Sequence, residues 1–226
     1  MSRDRPVADP SESDAGPVAY AGRTKYDAAR ARRYEKRSAR RQAEEWSVVE
    51  RLLAGHAPPR TVLDAPCGTG RIAAEFLARG SSVRLADWSD DMLALARANV
   101  GAHASVLGVE RLDLEAPPEA DAATHELVIC LRFFHHLPDD DRRGRVLASL
   151  RARASDAIIV SFHHPASAHH LARAVRRLVT GRRGDRFSNT LRELERLAHP
   201  LGLRLEHAAA VAPYLRDFWA ARFRVV

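Results

Sequence analysis

The sequence predicts an α/β protein: a doubly wound, mostly parallel, seven-stranded sheet with helices on both faces and an N-terminal helical lid. Two observations predict it. Short apolar segments alternate with helical segments from Thr61 onward, and a turn containing Gly68 and Gly70 follows the first of them. Such alternation is typical of a parallel sheet covered on both faces. Right-handed crossovers make that sheet Rossmann-like, with a ligand crevice at the carboxyl end of the first strand.

Length and composition limit the classes of protein that fit this chain. With 226 residues and 46% apolar residues, it is long enough for one α/β domain and too apolar for wholesale disorder. No apolar run approaches the roughly 20 residues of a membrane-spanning helix. The polar stretch 1–17 lacks the features of a signal peptide, so we expect a cytoplasmic protein. The two cysteines, Cys67 and Cys130, exclude a disulfide scaffold and a Cys-rich zinc site.

Composition also divides the chain into parts. We predict a disordered tail over residues 1–18, an N-terminal helical lid segment over 19–60, and a Rossmann-like domain over 61–226 with a basic helical insert at about 165–187. The net charge of +7 is concentrated in residues 23–41 and 171–186. Such segments bind a polyanion or an anionic membrane surface, or they are only solvated helix faces, and the sequence leaves these alternatives open.

Each predicted element has its own signal. Gly80 is placed to end the helix after the glycine turn, and Ser89 is placed to cap the next helix. Thr190 and Glu193 have the spacing of a capping box that opens the last helix. Helices are predicted at 20–54, 71–78, 90–98, 140–153 and 190–199, and strands at 61–64, 83–86, within 106–112, and at 127–131, 157–162, 204–210 and 218–226.

The turn after the first predicted strand has the features of a nucleotide-binding site. Gly68 and Gly70 lack a Cβ, so the backbone there is free to bend sharply and to lie against a ligand. The following helix offers free N–H groups and the positive end of its dipole to an anion. Asp87 lies nineteen residues after Gly68 and ends the second strand. A carboxylate at that place accepts hydrogen bonds from both hydroxyls of a ribose.

Two classes of cofactor fit this turn. The spacing Gly68-x-Gly70-x-x-Ala73 satisfies the dinucleotide fingerprint, so an NAD-dependent oxidoreductase is one alternative. Three features argue against it. Some sixty residues precede the first strand, no Tyr-x-x-x-Lys pair occurs in the chain, and an acidic residue, Asp113, follows the third strand.

Four stretches resemble the class I S-adenosylmethionine-dependent methyltransferases. Residues 62–70, which read Val-Leu-Asp-Ala-Pro-Cys-Gly-Thr-Gly, look like motif I, and residues 86–89 with Met92 look like motif II. Residues 112–114, Leu-Asp-Leu, resemble the adenine-binding turn. Residues 127–138 are similar to the segment after the fourth strand in small-molecule members such as the quinone methyltransferases.

The resemblance implies S-adenosylmethionine as cofactor, S-adenosylhomocysteine as product and a role for each matching residue. The implied cofactor-binding residues are Asp64, Ala65, Cys67, Gly68 and Gly70 for the methionine part, Asp87 for the ribose, Trp88, Met92, Asp113 and Leu114 for the adenine, and Leu131 and Arg132 at the sulfonium end. The family usually has glycine where this chain has Pro66. Proline has a fixed φ and no N–H, so we expect no glycine-like bend there.

Histidines supply candidate bases. In methyl transfer the protein mainly aligns the reacting atoms, and a hydroxyl acceptor also benefits from a base worth about 100- to 10,000-fold. His135 and His136 follow the fourth strand, and His163 and His164 follow the fifth. We predict His135, His136 and His164 as candidate catalytic residues, with packing at element ends as the alternative. Paired histidines also suit a divalent metal, but no Asp or Glu accompanies them at ligand spacing, so no metal site is predicted.

The resemblance implies a small-molecule or lipid-like acceptor, methylated on oxygen or carbon. In the lid segment, Tyr20, Tyr26, Arg33 and Tyr34 are candidates to close over the site. The amphipathic basic insert is either a second wall or a peripheral membrane contact. RNA methylation is the alternative that the charge favours. Against it, no Asn/Asp-Pro-Pro-aromatic motif follows the fourth strand and aromatic residues make up only 6% of the chain. The oligomeric state is not predicted.

Overall fold

The computed structural model describes residues 39–119, 121–168, 172 and 187–226. Seven strands are present in this part of the chain: β1 Thr61–Asp64, β2 Ser82–Asp87, β3 Val106–Arg111, β4 His125–Cys130, β5 Ala154–His163, β6 Leu203–Ala210 and β7 Phe218–Val225. The α-helices are α1 Ala39–Leu53, α2 Arg71–Ala78, α3 Asp90–Val100, α4 Asp140–Ala152 and α5 Leu191–Ala198, and two 3₁₀ turns cover Phe134–His136 and His199–Leu201.

The strands form one mixed sheet in the order β3-β2-β1-β4-β5-β7-β6. The pairs from β3 to β5 are all parallel, and β7 is antiparallel to both of its neighbours. The predicted seven-stranded, mostly parallel sheet is therefore confirmed. The chain passes from β1 outward to β2 and later returns to β4 on the other side of β1. This reversal leaves a crevice at the carboxyl ends of β1 and β4, as doubly wound sheets do.

Apolar side chains cover both faces of the sheet, as the continuous buried pattern of β4 and β5 requires. One core cluster includes Val62, Phe76 and Ile129, and the other includes Leu63, Phe134 and Phe162. Helix α1 contributes side chains to the first cluster, where the Trp46 ring meets the Phe76 ring edge-on with the ring centroids 5.1 Å apart. The described end of the predicted lid segment thus packs into the domain core.

The local signals at the helix ends are confirmed. Gly80 adopts φ 88° just after α2. Ser89 caps α3 by accepting a hydrogen bond from the Met92 N–H, and Thr190 and Glu193 form the reciprocal capping box of α5. Strand β5 begins at Ala154, three residues before the predicted start, because it pairs with β4 from His125 onward.

Several predictions fall outside the described residues. These are the tail over 1–18, the lid residues Tyr20, Tyr26, Arg33 and Tyr34, and nearly all of the basic insert. Among the helices that the structure does describe, none combines the length and the apolar character that crossing a membrane demands.

Candidate functional site

A cavity opens at the carboxyl ends of β1, β2 and β4, at the predicted crevice. Its wall is formed by Glu45, Asp64, Pro66, Cys67, Gly68, Thr69, Arg71, Ile72, Asp87, Trp88, Ser89, Met92, Leu112, Asp113, Leu114, Leu131, Arg132, Phe133 and His136. Ten of the twelve predicted cofactor residues lie in this wall. Ala65 and Gly70 are not in this wall, because Ala65 is buried against β4 and Gly70 lies under the turn.

The glycine turn owes its shape to two left-handed residues. Gly68 has φ 54° and Gly70 has φ 75°, values that side chains with a Cβ rarely adopt. A Cβ on Gly70 would lie 3.3 Å from the Ala96 backbone and 3.1 Å from Leu85, so this glycine also allows α3 to approach the turn. A Cβ on Gly68 would meet no atom within 4 Å. The surface of Gly68 therefore remains open to a ligand.

Pro66 lies in the cavity wall at the place where the family usually has glycine. The Ala65–Pro66 peptide bond is cis. A ligand here meets an apolar ring and no N–H donor.

Asp87 ends β2 at the edge of the cavity, as predicted. Its Oδ2 accepts a hydrogen bond from the Gly68 N–H at 2.9 Å, and its Oδ1 accepts one from the Ser89 N–H at 2.9 Å. Burial raises the pKa of Asp87, and these backbone donors work in the opposite direction. The two hydrogen bonds fix the carboxylate between the glycine turn and the start of α3.

Asp64 ends β1 beneath the turn. Its Oδ2 accepts a hydrogen bond from the Ala73 N–H in the first turn of α2, at 3.1 Å. Burial raises the pKa of Asp64 to about 8, and the negative charges of Asp87 and Glu45 add to the rise. Asp64 is therefore mostly protonated at neutral pH, which gives its carboxyl group a hydrogen to donate.

The far wall of the cavity suits an adenine ring. Trp88 and Met92 lie there beside Leu112, Asp113 and Leu114. One face of the Trp88 ring is covered by the Arg111 guanidinium, which lies 4.2 Å from the ring centroid. Asp113 Oδ1 accepts a hydrogen bond from the Glu115 N–H at 3.0 Å, which fixes the turn that carries it.

The opposite end of the cavity, after β4, carries Leu131, Arg132, Phe133 and His136. Arg132 forms an ion pair with Glu45 of α1, and both side chains line the cavity. Glu45 was not among the site residues predicted from the sequence. A signal was available, since Glu45 lies on the buried stripe of α1 with Val48, Val49 and Leu52, where a carboxylate is unusual.

Histidines gather beside this end of the cavity. His136 lies in the cavity wall, and the His135 ring lies tilted against it with the ring centroids 4.1 Å apart. The His135 ring also stacks on the His163 ring, with the centroids 4.2 Å apart. His163 Nδ1 lies 3.8 Å from Asp217 Oδ2. His164 was predicted as a candidate catalytic residue, but its ring lies against Trp219, with the centroids 4.9 Å apart, and not in the cavity wall.

The alternation of side chains along β5 explains this difference. Neighbouring residues of a strand point to opposite faces, and His163, the last residue of β5, is the one that points toward His135. Across the described ranges, no group of three or more His, Cys, Asp or Glu side chains has an arrangement that holds a metal ion. Cys67 and Cys130 are buried free thiols, and burial raises the pKa of each.

Comparisons with known proteins agree with this geometry. Residues 62–154 match the family model described as a methyltransferase domain. The ubiquinone biosynthesis O-methyltransferase of Nitrosomonas europaea is 28% identical over 93 residues, which are 41% of this chain and 39% of that protein. The match therefore spans about two fifths of the length of this curated relative.

Solved structures share the fold. A magnesium protoporphyrin IX methyltransferase from Synechocystis PCC 6803, crystallised with S-adenosylhomocysteine, aligns with a TM-score of 0.69 at 18% identity over 85% of this chain and 88% of its own. An S-adenosylmethionine-dependent methyltransferase from Mesorhizobium loti aligns with a TM-score of 0.59 at 19% identity, over 80% of this chain and 97% of its own.

These matches favour the methyltransferase interpretation of the glycine turn over the dinucleotide one. The matched residues include β1, the turn and Asp87, on which the resemblance was based. Residues 62–154 are thus similar to a methyltransferase domain, and the chain shares its fold with S-adenosylmethionine-dependent methyltransferases of known structure.

Proposed function

We propose that this protein transfers a methyl group from S-adenosylmethionine to a small-molecule or lipid-like acceptor, most simply at a hydroxyl oxygen. The observation that carries the proposal is the fixed carboxylate of Asp87, with the open surface of Gly68 on one side and the Trp88–Asp113 wall on the other. An adenosyl group requires a carboxylate that accepts hydrogen bonds from its two ribose hydroxyls. It also requires an aromatic side chain and a second carboxylate beside its adenine.

The residues of the cavity fit the donor part by part. Asp87 accepts the ribose hydroxyls while its backbone hydrogen bonds hold it in place. Trp88 and Met92 flank the adenine ring, and Asp113 accepts a hydrogen bond from the amino group of the adenine. The remaining length of the cavity, from Gly68 to Leu131, receives the methionine part.

The donor supplies an activated methyl group on a sulfonium, so the protein mainly has to align and exclude water. Leu131 and Phe133 line the sulfonium end with apolar surface. Arg132 is fixed at the end of β4, because its N–H donates to Ser161 Oγ at 2.6 Å. Alignment of this kind removes about 7–11 kcal/mol of a bimolecular barrier.

His136 is the residue that we assign as the general base for a hydroxyl acceptor. It lies in the cavity wall next to Phe133, and the stacked His135 and His163 rings behind it limit its movement. Neutral imidazole accepts a proton near pH 7, the range in which a base for a hydroxyl operates best. His135 acts through His136 in this proposal and does not touch the acceptor.

The class of acceptor rests on the apolar sulfonium end and on the relatives. One relative is named as an O-methyltransferase of ubiquinone biosynthesis, and one structural neighbour is named as a methyltransferase of a porphyrin. A quinone ring and a porphyrin ring are both flat and largely apolar. Leu131 and Phe133 suit an acceptor of that type better than a nucleic acid backbone, which demands cationic contacts.

The test is transfer of label from methyl-labelled S-adenosylmethionine to a panel of hydroxylated aromatic and isoprenoid-like compounds, with transfer RNA as a separate arm. We expect labelled small molecules and no labelled RNA, and His136→Ala should abolish most of the transfer. Label in RNA alone would replace the proposed acceptor class with the alternative. Absence of transfer to every compound, together with no donor binding, would refute the activity itself.

A further inference from the structure

A carboxylate lies at the inner end of the histidine cluster that begins in the cavity wall. His136 is part of that wall, and the His135 ring lies against it with the ring centroids 4.1 Å apart. The His163 ring stacks on His135 with the centroids 4.2 Å apart, and His163 Nδ1 lies 3.8 Å from Asp217 Oδ2. These four residues form a row, called the histidine row below, that leads from the cavity to Asp217.

Burial gives the histidine row an unusual electrostatic environment. All four of its residues are buried. An imidazole that gains a proton in such a place loses the hydration that stabilises its charge, so burial opposes protonation. A nearby carboxylate acts in the opposite direction, because opposite charges attract each other more strongly where water is excluded. The row therefore combines groups that take up a proton with a group that stabilises the resulting charge.

Backbone hydrogen bonds hold the histidine row in place. The Phe187 N–H donates to the main-chain oxygen of His135, and the Asn189 N–H donates to that of His163, each at 2.8 Å. The main-chain oxygen of Asp217 accepts a hydrogen bond from the residue after His163, at 2.9 Å. These contacts join the three chain segments that carry the row, so the fold itself sets the position of Asp217 relative to the rings.

Three arginines lie beside the histidine row, and each has a carboxylate partner of its own. Arg132 shares the cavity wall with His136, Arg143 donates to the main-chain oxygen of the residue after His136, and Arg216 precedes Asp217. The ion pairs are Arg132–Glu45, Arg143–Asp140 and Arg216–Glu44. The other charged or titratable groups of the cavity wall are Asp64, Cys67, Arg71, Asp87 and Asp113, on the side of the glycine turn and the adenine wall. Since these arginines are paired, their charges oppose that of Asp217 only weakly at the imidazoles.

We infer that Asp217 is a positioning residue for the general base: acting through His163 and His135, its negative charge stabilises the positive charge that His136 acquires. This inference rests on the proposed function. His136 takes the hydroxyl proton of the acceptor as the methyl group passes from the donor sulfur to the acceptor oxygen. A positive charge thereby leaves the sulfur and appears on the imidazole. Asp217 makes His136 a stronger base than burial alone allows.

Titration of the histidines tests this inference without donor or acceptor. NMR of protein with isotopically labelled imidazole rings follows the protonation of His136, whose signals are assigned by their loss in His136→Ala. Asp217→Asn keeps the shape of the side chain and removes its charge. We expect the midpoint of His136 protonation to fall by about 0.5–1 pH unit, which is about three- to tenfold weaker proton binding. Asp217→Glu keeps the charge and should titrate like the wild type.

Asp156→Asn is the matched control. Asp156 lies in β5, the strand that ends at His163, but near the opposite end of that strand. Its side chain is 54% exposed and pairs with Arg222 at 3.3 Å. The variant removes the same charge from the same strand, far from the histidine row, and should leave both the His136 midpoint and kcat unchanged. A shift equal to that of Asp217→Asn would mean that the effect is not local, and the inference would be wrong.

The pH profile of kcat separates positioning from a merely structural role. With an acceptor identified by the label-transfer panel, the acidic limb should move to lower pH in Asp217→Asn by the same amount as the NMR midpoint. The affinity for S-adenosylhomocysteine should stay that of the wild type. A structural role would lower kcat at every pH without moving the limb. That result, or an unmoved NMR midpoint, would overturn the inference.

The wild type supplies an independent measurement if Asp217→Asn does not fold. With Asp217 as counter-charge, His136 should be half protonated at about pH 6 or above, near the range of an exposed histidine. A His136 that is still neutral at about pH 5 would overturn the inference. Absence of methyl transfer to every acceptor would instead refute the proposed function, and the titration midpoints would still report separately whether Asp217 controls the charge of the histidine row.

Discussion

The backbone N–H of Gly68 donates a hydrogen bond to the carboxylate of Asp87 at 2.9 Å, which ties the glycine turn of β1 to the end of β2. The two residues are nineteen positions apart in sequence, and the parallel pairing of β1 with β2 brings them together. Asp87 is thereby positioned by the turn whose open surface it shares. This contact joins the turn and the acidic residue in one wall of the cavity.

Gly70 is required by geometry, and its replacement tests the turn. In Gly70→Ala, alanine would have to adopt φ 75°, and its Cβ would lie 3.3 Å from the Ala96 backbone. We therefore expect the free energy of unfolding to fall by about 1–3 kcal/mol. Gly144→Ala is the control. Gly144 lies inside α4 with no atom within 4 Å of an added Cβ, so alanine there should stabilise by about 1 kcal/mol. Urea denaturation measures both, and a neutral Gly70→Ala would contradict the argument.

Asp64 makes stability depend on pH. Its pKa in the folded protein, about 8, lies above the ordinary value of 3.8. At pH values between these two, the folded state therefore binds more protons than the unfolded state. This contribution therefore destabilises the protein as pH rises from about 4 to 8. Asp64→Asn keeps an acceptor for the Ala73 N–H but cannot ionise. Its melting temperature should exceed that of the wild type, and the gap should widen from pH 5 to pH 8 in thermal scans. A constant gap would mean that Asp64 does not titrate in this range.

Trp88 tests the adenine wall. Removing an aromatic ring that stacks on a base costs about 1–3 kcal/mol. We expect Trp88→Ala to weaken S-adenosylhomocysteine and 5′-methylthioadenosine by a similar factor, about tenfold, because both ligands contain adenine. Arg111→Ala removes the guanidinium from one face of the Trp88 ring and should lower the affinity for both ligands only about twofold, since the Arg111 side chain is 52% exposed. Calorimetry with both ligands would contradict the assignment if Trp88→Ala bound them normally.

His136 tests the chemistry. With an acceptor identified by the label-transfer panel, His136→Ala should lower kcat at least tenfold while the affinity for S-adenosylhomocysteine stays within twofold. The pH profile of kcat should lose its acidic limb in the same variant, which a packing role would not produce. His199→Ala, in the exposed 3₁₀ turn after α5, serves as the control with normal turnover. Normal turnover in His136→Ala would remove this residue from the mechanism.

The sequence predicted what local signals determine. Ser89, Gly80 and the Thr190–Glu193 box marked helix ends correctly, because capping depends on a few consecutive residues. The glycine turn and Asp87 were found because their spacing follows from one strand–helix–strand unit.

Long-range packing decides the rest of the site. Glu45 reaches the cavity only because α1 packs against the sheet, and nothing within its own helix indicates Arg132 as a partner 87 residues away. His163 rather than His164 joins the histidine cluster because the alternation of side chains along β5 turns His163 toward the His135 ring. Such choices depend on register and on which face is buried, and single-residue patterns do not determine them.

The binding of S-adenosylhomocysteine to the wild type and to Asp87→Ala, measured by calorimetry, tests the central claim most directly. Asp91→Ala is the control, since Asp91 is an exposed residue of the α3 first turn that is absent from the cavity wall. We predict binding by the wild type and by Asp91→Ala, and a loss of about 100-fold in Asp87→Ala, because two charge-assisted hydrogen bonds to the ribose disappear. Equal binding by Asp87→Ala and the wild type, or no binding by the wild type, would contradict the account.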